Sequence, residues 1–176
     1  PWNIDFDSGR QAETGYYVNV GQRYDINPDV SLGPRIFATE KEGVGLGADL
    51  IYDFMDNPAS RLYRTKGEAH GLYTTKDRGY VHWYHRYEYS NDLVVRAQLE
   101  HWGDKDFYKD FYYDAFRNRS QPRSFVNVTY RRPTYIATGT TRVQSHGWFA
   151  ETEQTPEATF HLLERPLSEN LYFTFD

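Results

Sequence analysis

"GVGLGADLIYD", residues 43–53, decides the fold. Val44, Leu46, Ala48, Leu50 and Tyr52 occupy every second position, set against three glycines and Asp49. Successive side chains of a strand point to opposite faces, so this period of two predicts a strand that is apolar on one side only. The stretch before it agrees. "DVSLGPRIFA" (29–38) sets Val30, Leu32, Pro34, Ile36 and Ala38 against Asp29, Ser31, Gly33 and Arg35. The stretch after it agrees too, "LYRTKGEAHGLY" (62–73) setting Tyr63, Thr65, Ala69 and Tyr73 against Arg64, Lys66, Glu68 and His70. A slip of one residue would invert every one of these faces.

Further strands are expected near 2–7, 16–26, 80–90, 92–102, 123–132, 134–144, 157–164 and 170–176. "INPDV" (26–30) is a tight turn, with Pro28 presetting φ and Asn27 and Asp29 able to cap the turn backbone. "YSND" (89–92) and "RRPT" (131–134) are equally short, whereas the connections near 38–43, 53–61, 73–79, 102–122 and 144–156 are mostly longer and polar. No stretch carries convincing helical periodicity. The reading is all-β, an antiparallel up-and-down meander of about ten or eleven strands occupying residues 1–176 as one unit.

Composition narrows the function classes. Only 39% of the chain is apolar, but aromatics reach 18%, which a disordered chain lacks. A net charge of -5 excludes a general nucleic-acid binder, which needs a basic face against phosphates. With no cysteine there is neither a disulfide framework nor a thiolate metal site in this stretch. "LYFTFD" at the end reads as the middle of a strand, so a piece of something longer is expected.

A meander with one apolar face has two settings. In a soluble sandwich or barrel, such as a carbohydrate-binding module, the apolar face points inward. In a membrane barrel it points into lipid and the polar face encloses water. Strands of about 9–11 residues, the alternation of short turns with long loops, and tyrosines near strand ends (Tyr16, Tyr17, Tyr24, Tyr52, Tyr63, Tyr73, Tyr80, Tyr89) favour the membrane. Small residues on apolar faces (Gly67, Gly71, Ala97, Gly139) point the same way, since lipid tolerates them better than a packed core does. The membrane reading predicts a segment of a transmembrane β-barrel. Arg23, Arg35, Asp49, Arg64, Lys66, Glu68 and His70 would then form a hydrated, mixed-charge lumen wall.

One stretch stands apart. "WGDKDFYKDFYYD" (102–114) mixes six aromatics with four aspartates between two strands. With the strand before it, "DLVVRAQLEHWGDKDFYKDF" (92–111) resembles a signature of LptD (OstA, Imp), the outer-membrane lipopolysaccharide-assembly family. The matching residues are Asp104, Asp106, Phe107, Tyr108, Asp110 and Phe111. Residues 15–53 resemble the family's early barrel strands, and "PEATFHLLERPL" (156–167) the strand after its long variable loop. The resemblance implies a barrel in the outer membrane of a Gram-negative bacterium that passes lipopolysaccharide through its lumen and out through a lateral gate. It implies an LptE-like lipoprotein plug and a periplasmic LptA-like bridge reached through a domain outside this stretch. It implies that Pro1 and Gly21 lie where prolines weaken the gate. Glycine at 21 keeps the amide donor, so any weakening there is milder, about 0.5–1 kcal/mol. The 102–114 segment would begin an extracellular loop. Its aromatics would lie at the bilayer surface, fold over the lumen or simply pack the loop down, and its aspartates would face water, bases or bridging cations. A porin or other outer-membrane barrel stays open beside this reading.

Catalytic chemistry is not called for. His82 and His85 in "HWYHRY" (82–87) are three apart, hence on opposite strand faces, and cannot share an ion. His70, His82 and His101 would need cross-strand alignment to do so. Asp104, Asp106 and Asp110 lack the glycine and terminal glutamate of a calcium loop. Glu68, Glu88 and Glu100 are explained as charges on alternating strand positions. No nucleophile elbow or phosphate loop occurs. The expectation is a non-enzyme with no cofactor and no metal.

Overall fold

A computed structural model describes residues 3–55, 63–118, 123–143, 145–148, 156–168 and 171–175. Eleven strands follow one another in chain order in one antiparallel sheet: β1 (Asn3–Gln11), β2 (Gly15–Asn27), β3 (Val30–Thr39), β4 (Gly43–Met55), β5 (Tyr63–Thr74), β6 (Gly79–Tyr89), β7 (Leu93–Trp102), β8 (Phe125–Arg132), β9 (Tyr135–Arg142), β10 (Glu157–Ser168) and β11 (Leu171–Phe175). The up-and-down order is the expected one. The sheet is open: among the described residues β1 and β11 are its two edges and share no ladder.

Two corrections concern the elements. Helices α1 (Phe107–Phe111) and α2 (Tyr113–Asn118) stand where no helical signal was read. A single turn supplies only one i, i+4 pair, here Phe107 and Phe111, too little to show as periodicity. Strand β1 also runs on to Gln11, past the expected end at 7, because it pairs residue by residue with β2 from Asn3↔Arg23 to Gln11↔Gly15. The alternation of short and long connections holds only in part. At one end of the sheet most turns are short, as at Pro28–Asp29, where Asn27 Oδ1 accepts from the Asp29 amide at 2.9 Å, but β4 and β5 are joined at that end by the seven residues 56–62. At the other end, the tight links 12–14 and 40–42 lie beside the long connection carrying α1 and α2. Of the other long connections, residues 56–62, 119–122 and most of 144–156 lie outside the described residues, as does Pro1.

Register fixes two faces across the whole sheet. Ile36 lies beside Val20 and Leu46, Leu50 beside Leu32 and Ala69, and Gly71 beside Val81, making one face continuously apolar. At Gly67 the missing side chain is filled from a neighbouring strand. Tyr52 lies across Gly67 to hydrogen-bond His85 Nδ1 at 2.7 Å, and a Cβ on Gly67 would stand 2.4 Å from its hydroxyl. The other face carries Asp5, Asn19, Arg35, Asp49, His70, His82 and Glu100.

Burial separates the two faces, and it is inverted relative to a soluble domain. Leu46 is 64% exposed and Ile36 49%, whereas Asp49 and Glu100 are each 1% exposed. The small apolar cluster, Phe37, Leu72, Phe107 and Phe111, sits on the polar face at the end where α1 folds over it. Tyr16, Tyr24, Tyr73 and Tyr89 emerge exposed near strand ends on the apolar face. Tyr17 and Tyr80 do not join them. Both are in phase with the polar face, where they pack against the small cluster.

Candidate functional site

The polar face is built in layers, each drawn from residues opposite one another in the ladder. All seven residues expected to face a lumen lie on it. At its centre Arg35 spans four strands. Its guanidinium donates to Asp49 on β4 at 2.9 Å, to Asn19 on β2 at 3.0 Å and to Asp5 on β1 at 2.9 Å. Gly21 makes that reach possible, since a Cβ there would stand 3.0 Å from the Arg35 guanidinium. Gly21 therefore lies in an unbroken β1–β2 ladder and leaves room for the arginine. Arg23 is half-buried beside Asn3.

His70 continues the network, its Nδ1 standing 2.9 Å from the second oxygen of Asp49. Its cross-strand partner is His82, and the two rings stack at 6.0 Å with 9° between planes. Glu68, two residues before His70, puts a carboxylate oxygen 3.8 Å from His70 Nε2. His85 and His101 are both on the apolar face, so His82 and His85 are separated as expected, and His101 is excluded from alignment with His70 and His82. These groups open on a cavity of about 440 Å³ bounded also by Tyr80, Tyr84, Gln98 and Tyr108.

Toward the short-turn end the layer turns basic. Lys66, Arg86 and Arg96 lie directly opposite one another on β5, β6 and β7. Next to them Arg64 pairs with Asp53 and Arg86 with Glu88. Like charges directly opposite cost stability, so a row of three needs counter-charge. Arg86 and Arg96 were missed by the sequence reading, and Glu100 was read only as a charge on an alternating strand position. The phase of alternation in 80–90 and 92–102, set by Val81 and Leu99 on the apolar face, is the signal that finds them.

Toward the long-loop end, α1 closes over the polar face. Asp106 is its N-cap, Phe107 is fully buried and Phe111 2% exposed. Their rings stack at 4.5 Å, and Phe111 meets Phe37 edge-on at 5.5 Å. Tyr108 stacks on Trp102 at 4.7 Å. The aromatics of 102–112 thus fold over the polar face and pack the segment down. Two of its aspartates face a base: Arg78 binds Asp104 at 2.8 and 2.9 Å and Asp110 at 2.8 Å, and it also binds Glu42 at 3.2 Å. The guanidinium also lies over the Phe111 ring at 5.3 Å. The hydrogen bonds to Asp104 above all hold Arg78 above its usual pKa. Burial works to raise Asp104, but the Arg78 contacts prevail and hold its carboxyl below the usual range. At Asp110 burial prevails over Arg78 and pushes the carboxyl up. Arg78 had no signal in the sequence, because a loop residue has no periodicity to place it.

No protein-family model matches the chain, and no curated protein matches it either.

Proposed function

We propose that the chain forms part of a transmembrane β-barrel in the outer membrane of a Gram-negative bacterium, and that this barrel carries lipopolysaccharide to the outer leaflet. The carrying observation is the inverted burial. A wall that leaves Leu46 and Ile36 exposed while enclosing Asp49, Glu100 and Arg35 suits hydrocarbon outside and water inside. A soluble carbohydrate-binding module would seal those aliphatics away from water.

An anionic cargo is supported by the row Lys66, Arg86 and Arg96. Three cations abreast are costly alone and favourable when phosphates pass them, and the neighbouring Asp53, Glu88 and Glu68 keep the wall from trapping an anion. The open edges β1 and β11 would pair with further strands of a larger barrel, since a bare edge is a template for aggregation. The resemblance of 92–111, 15–53 and 156–167 to the LptD family supplies the choice of lipopolysaccharide among anions, the LptE-like plug and LptA-like bridge as partners, and a gate near Pro1 and Gly21.

Photo-crosslinking amino acids placed at Lys66 and Arg86, and at Ile36 and Leu46 as apolar-face controls, test this in a parent protein that supports export. Adducts with lipopolysaccharide are expected from the first pair. Export without any adduct at Lys66 or Arg86 would reject the reading.

A further inference from the structure

Three side chains on the polar face have metal-ligand geometry that the cargo does not explain. Glu68 and His70 stand two apart on β5 and so project from one face, and His82 is the direct partner of His70 on β6. One ligand atom from each of the three lies within 4.8 Å of the others. Ligands about 2.0–2.2 Å from a tetrahedral ion sit roughly 3.3–3.5 Å apart. The Glu68–His70 separation of 3.8 Å is close to that distance, and small rotations of the terminal torsions cover the difference.

The second observation is the orientation of His70. Asp49 is 1% exposed and accepts from Arg35 through one oxygen and faces His70 Nδ1 through the other. A carboxylate so placed takes the Nδ1 proton as its hydrogen bond, which leaves the ring's lone pair on Nε2, 3.8 Å from the Glu68 carboxylate. A carboxylate behind a histidine in this way fixes the tautomer and strengthens the imidazole as a ligand. Arg35 is itself engaged by Asp5, Asn19 and Asp49, which keeps its charge directed away from the cluster. The cavity beside the three residues leaves a fourth coordination position open to water or an anionic group.

We propose that Glu68, His70 and His82 bind one divalent transition-metal ion of the zinc class. Two imidazoles and one carboxylate suit zinc, cobalt or nickel, and offer too few oxygens for calcium or magnesium. The site goes beyond the transport reading, because it is made entirely of side chains on two adjacent strands.

The full chain, folded in detergent micelles and stripped with a chelator, is titrated with zinc chloride by calorimetry and with cobalt chloride by visible absorption. One ion per chain and the intense d–d band of tetrahedral cobalt are expected. Glu68→Gln and His82→Asn each weaken zinc binding at least about tenfold, and Asp49→Asn weakens it about 10–100-fold through the orientation of His70. His85→Asn and His101→Asn, on the opposite face, leave the affinity unchanged. Circular dichroism checks the strand content of every variant, and the two ligand variants lie on different strands, so one that fails to fold leaves the other to decide. No binding at micromolar free zinc overturns the proposal. So does unchanged affinity in a folded Glu68→Gln or His82→Asn variant, or equal competition by calcium.

Discussion

Replacing Ile36 with arginine puts a charge near the middle of β3, on the face that a bilayer would cover. Ile36 is 49% exposed and sits between Val20 and Leu46. Its exposed half is on the order of 90 Å², or about 2 kcal/mol of hydrocarbon contact at roughly 25 cal/mol per Å². An arginine at the bilayer midplane costs about 2–4 kcal/mol more. The sum, about 4–6 kcal/mol, is a large share of the roughly 5–15 kcal/mol that holds a typical domain together. If water covered this face, the same substitution would fall within about 0.5 kcal/mol of neutral. The comparison is Thr138→Arg on the polar face of β9, expected to cost under about 1 kcal/mol. Guanidinium unfolding from phosphatidylcholine vesicles, followed by emission of the four tryptophans, gives midpoint and slope for each variant. Refutation is a stable Ile36→Arg, or a Thr138→Arg that costs the more of the two.

Arg78→Met leaves Asp104, Asp110 and Glu42 without their shared cation; at the partial exposure of these groups the loss is about 1–3 kcal/mol. It is expected locally, as faster amide hydrogen exchange over 104–112 with β4–β6 protection kept, and unchanged exchange would show that the aromatics hold α1 without it. Gly33→Ala drives a Cβ to 1.6 Å from the Gln22 carbonyl oxygen and should cost about 3 kcal/mol, while Gly139→Ala meets nothing within 4 Å and should be neutral or slightly stabilising. Thermal unfolding of the pair reads this contrast, and equal midpoints would contradict the β2–β3 spacing. Acid should act on the loop in a defined order. Asp104 has a depressed pKa, so its contribution is present above about pH 4 and is lost as pH falls through the lower folded value. Asp110 has a raised pKa, so it takes up its proton earlier and adds stability as pH falls toward 4. Quenching of Trp102 by aqueous iodide should therefore rise only below about pH 4, and Asp104→Asn should remove that step.

What could be read from the chain was whatever depends on phase. Once Val44, Leu46 and Leu50 define one side of a strand, Asp49 is assigned to the other without further information, and the same holds for Arg64 through His70. Tyr17 and Tyr80 show what happens when phase is set aside: both stand near strand ends, but both are in step with polar neighbours, Asn19 and His82, and both turn away from the apolar face. Register was the next level, and it is invisible from one strand. That His82 rather than His101 meets His70 depends on the lengths of the turns between β5, β6 and β7. The loop was the least legible, because Arg78, Asp104 and Asp110 are 26 and 32 residues apart and are brought together by the burial of Phe107 and Phe111.

Taken along the strand axis, the polar face changes character in steps of two residues, about 7 Å each. The layer Leu72, Tyr80 and Trp102 lies under α1; next come His70, His82 and Glu100, then Glu68, Tyr84 and Gln98, and finally Lys66, Arg86 and Arg96 toward the short turns. In barrels with one short-turn end and one long-loop end, the short turns face the periplasm. On the proposed function, a phosphorylated glycolipid rising from that side would meet the cations first, then weaker polar contacts, and last the stacked aromatics of α1. Beyond the basic row the side chains are imidazole, carboxylate, amide and phenol groups, weaker partners for a phosphate than three cations abreast.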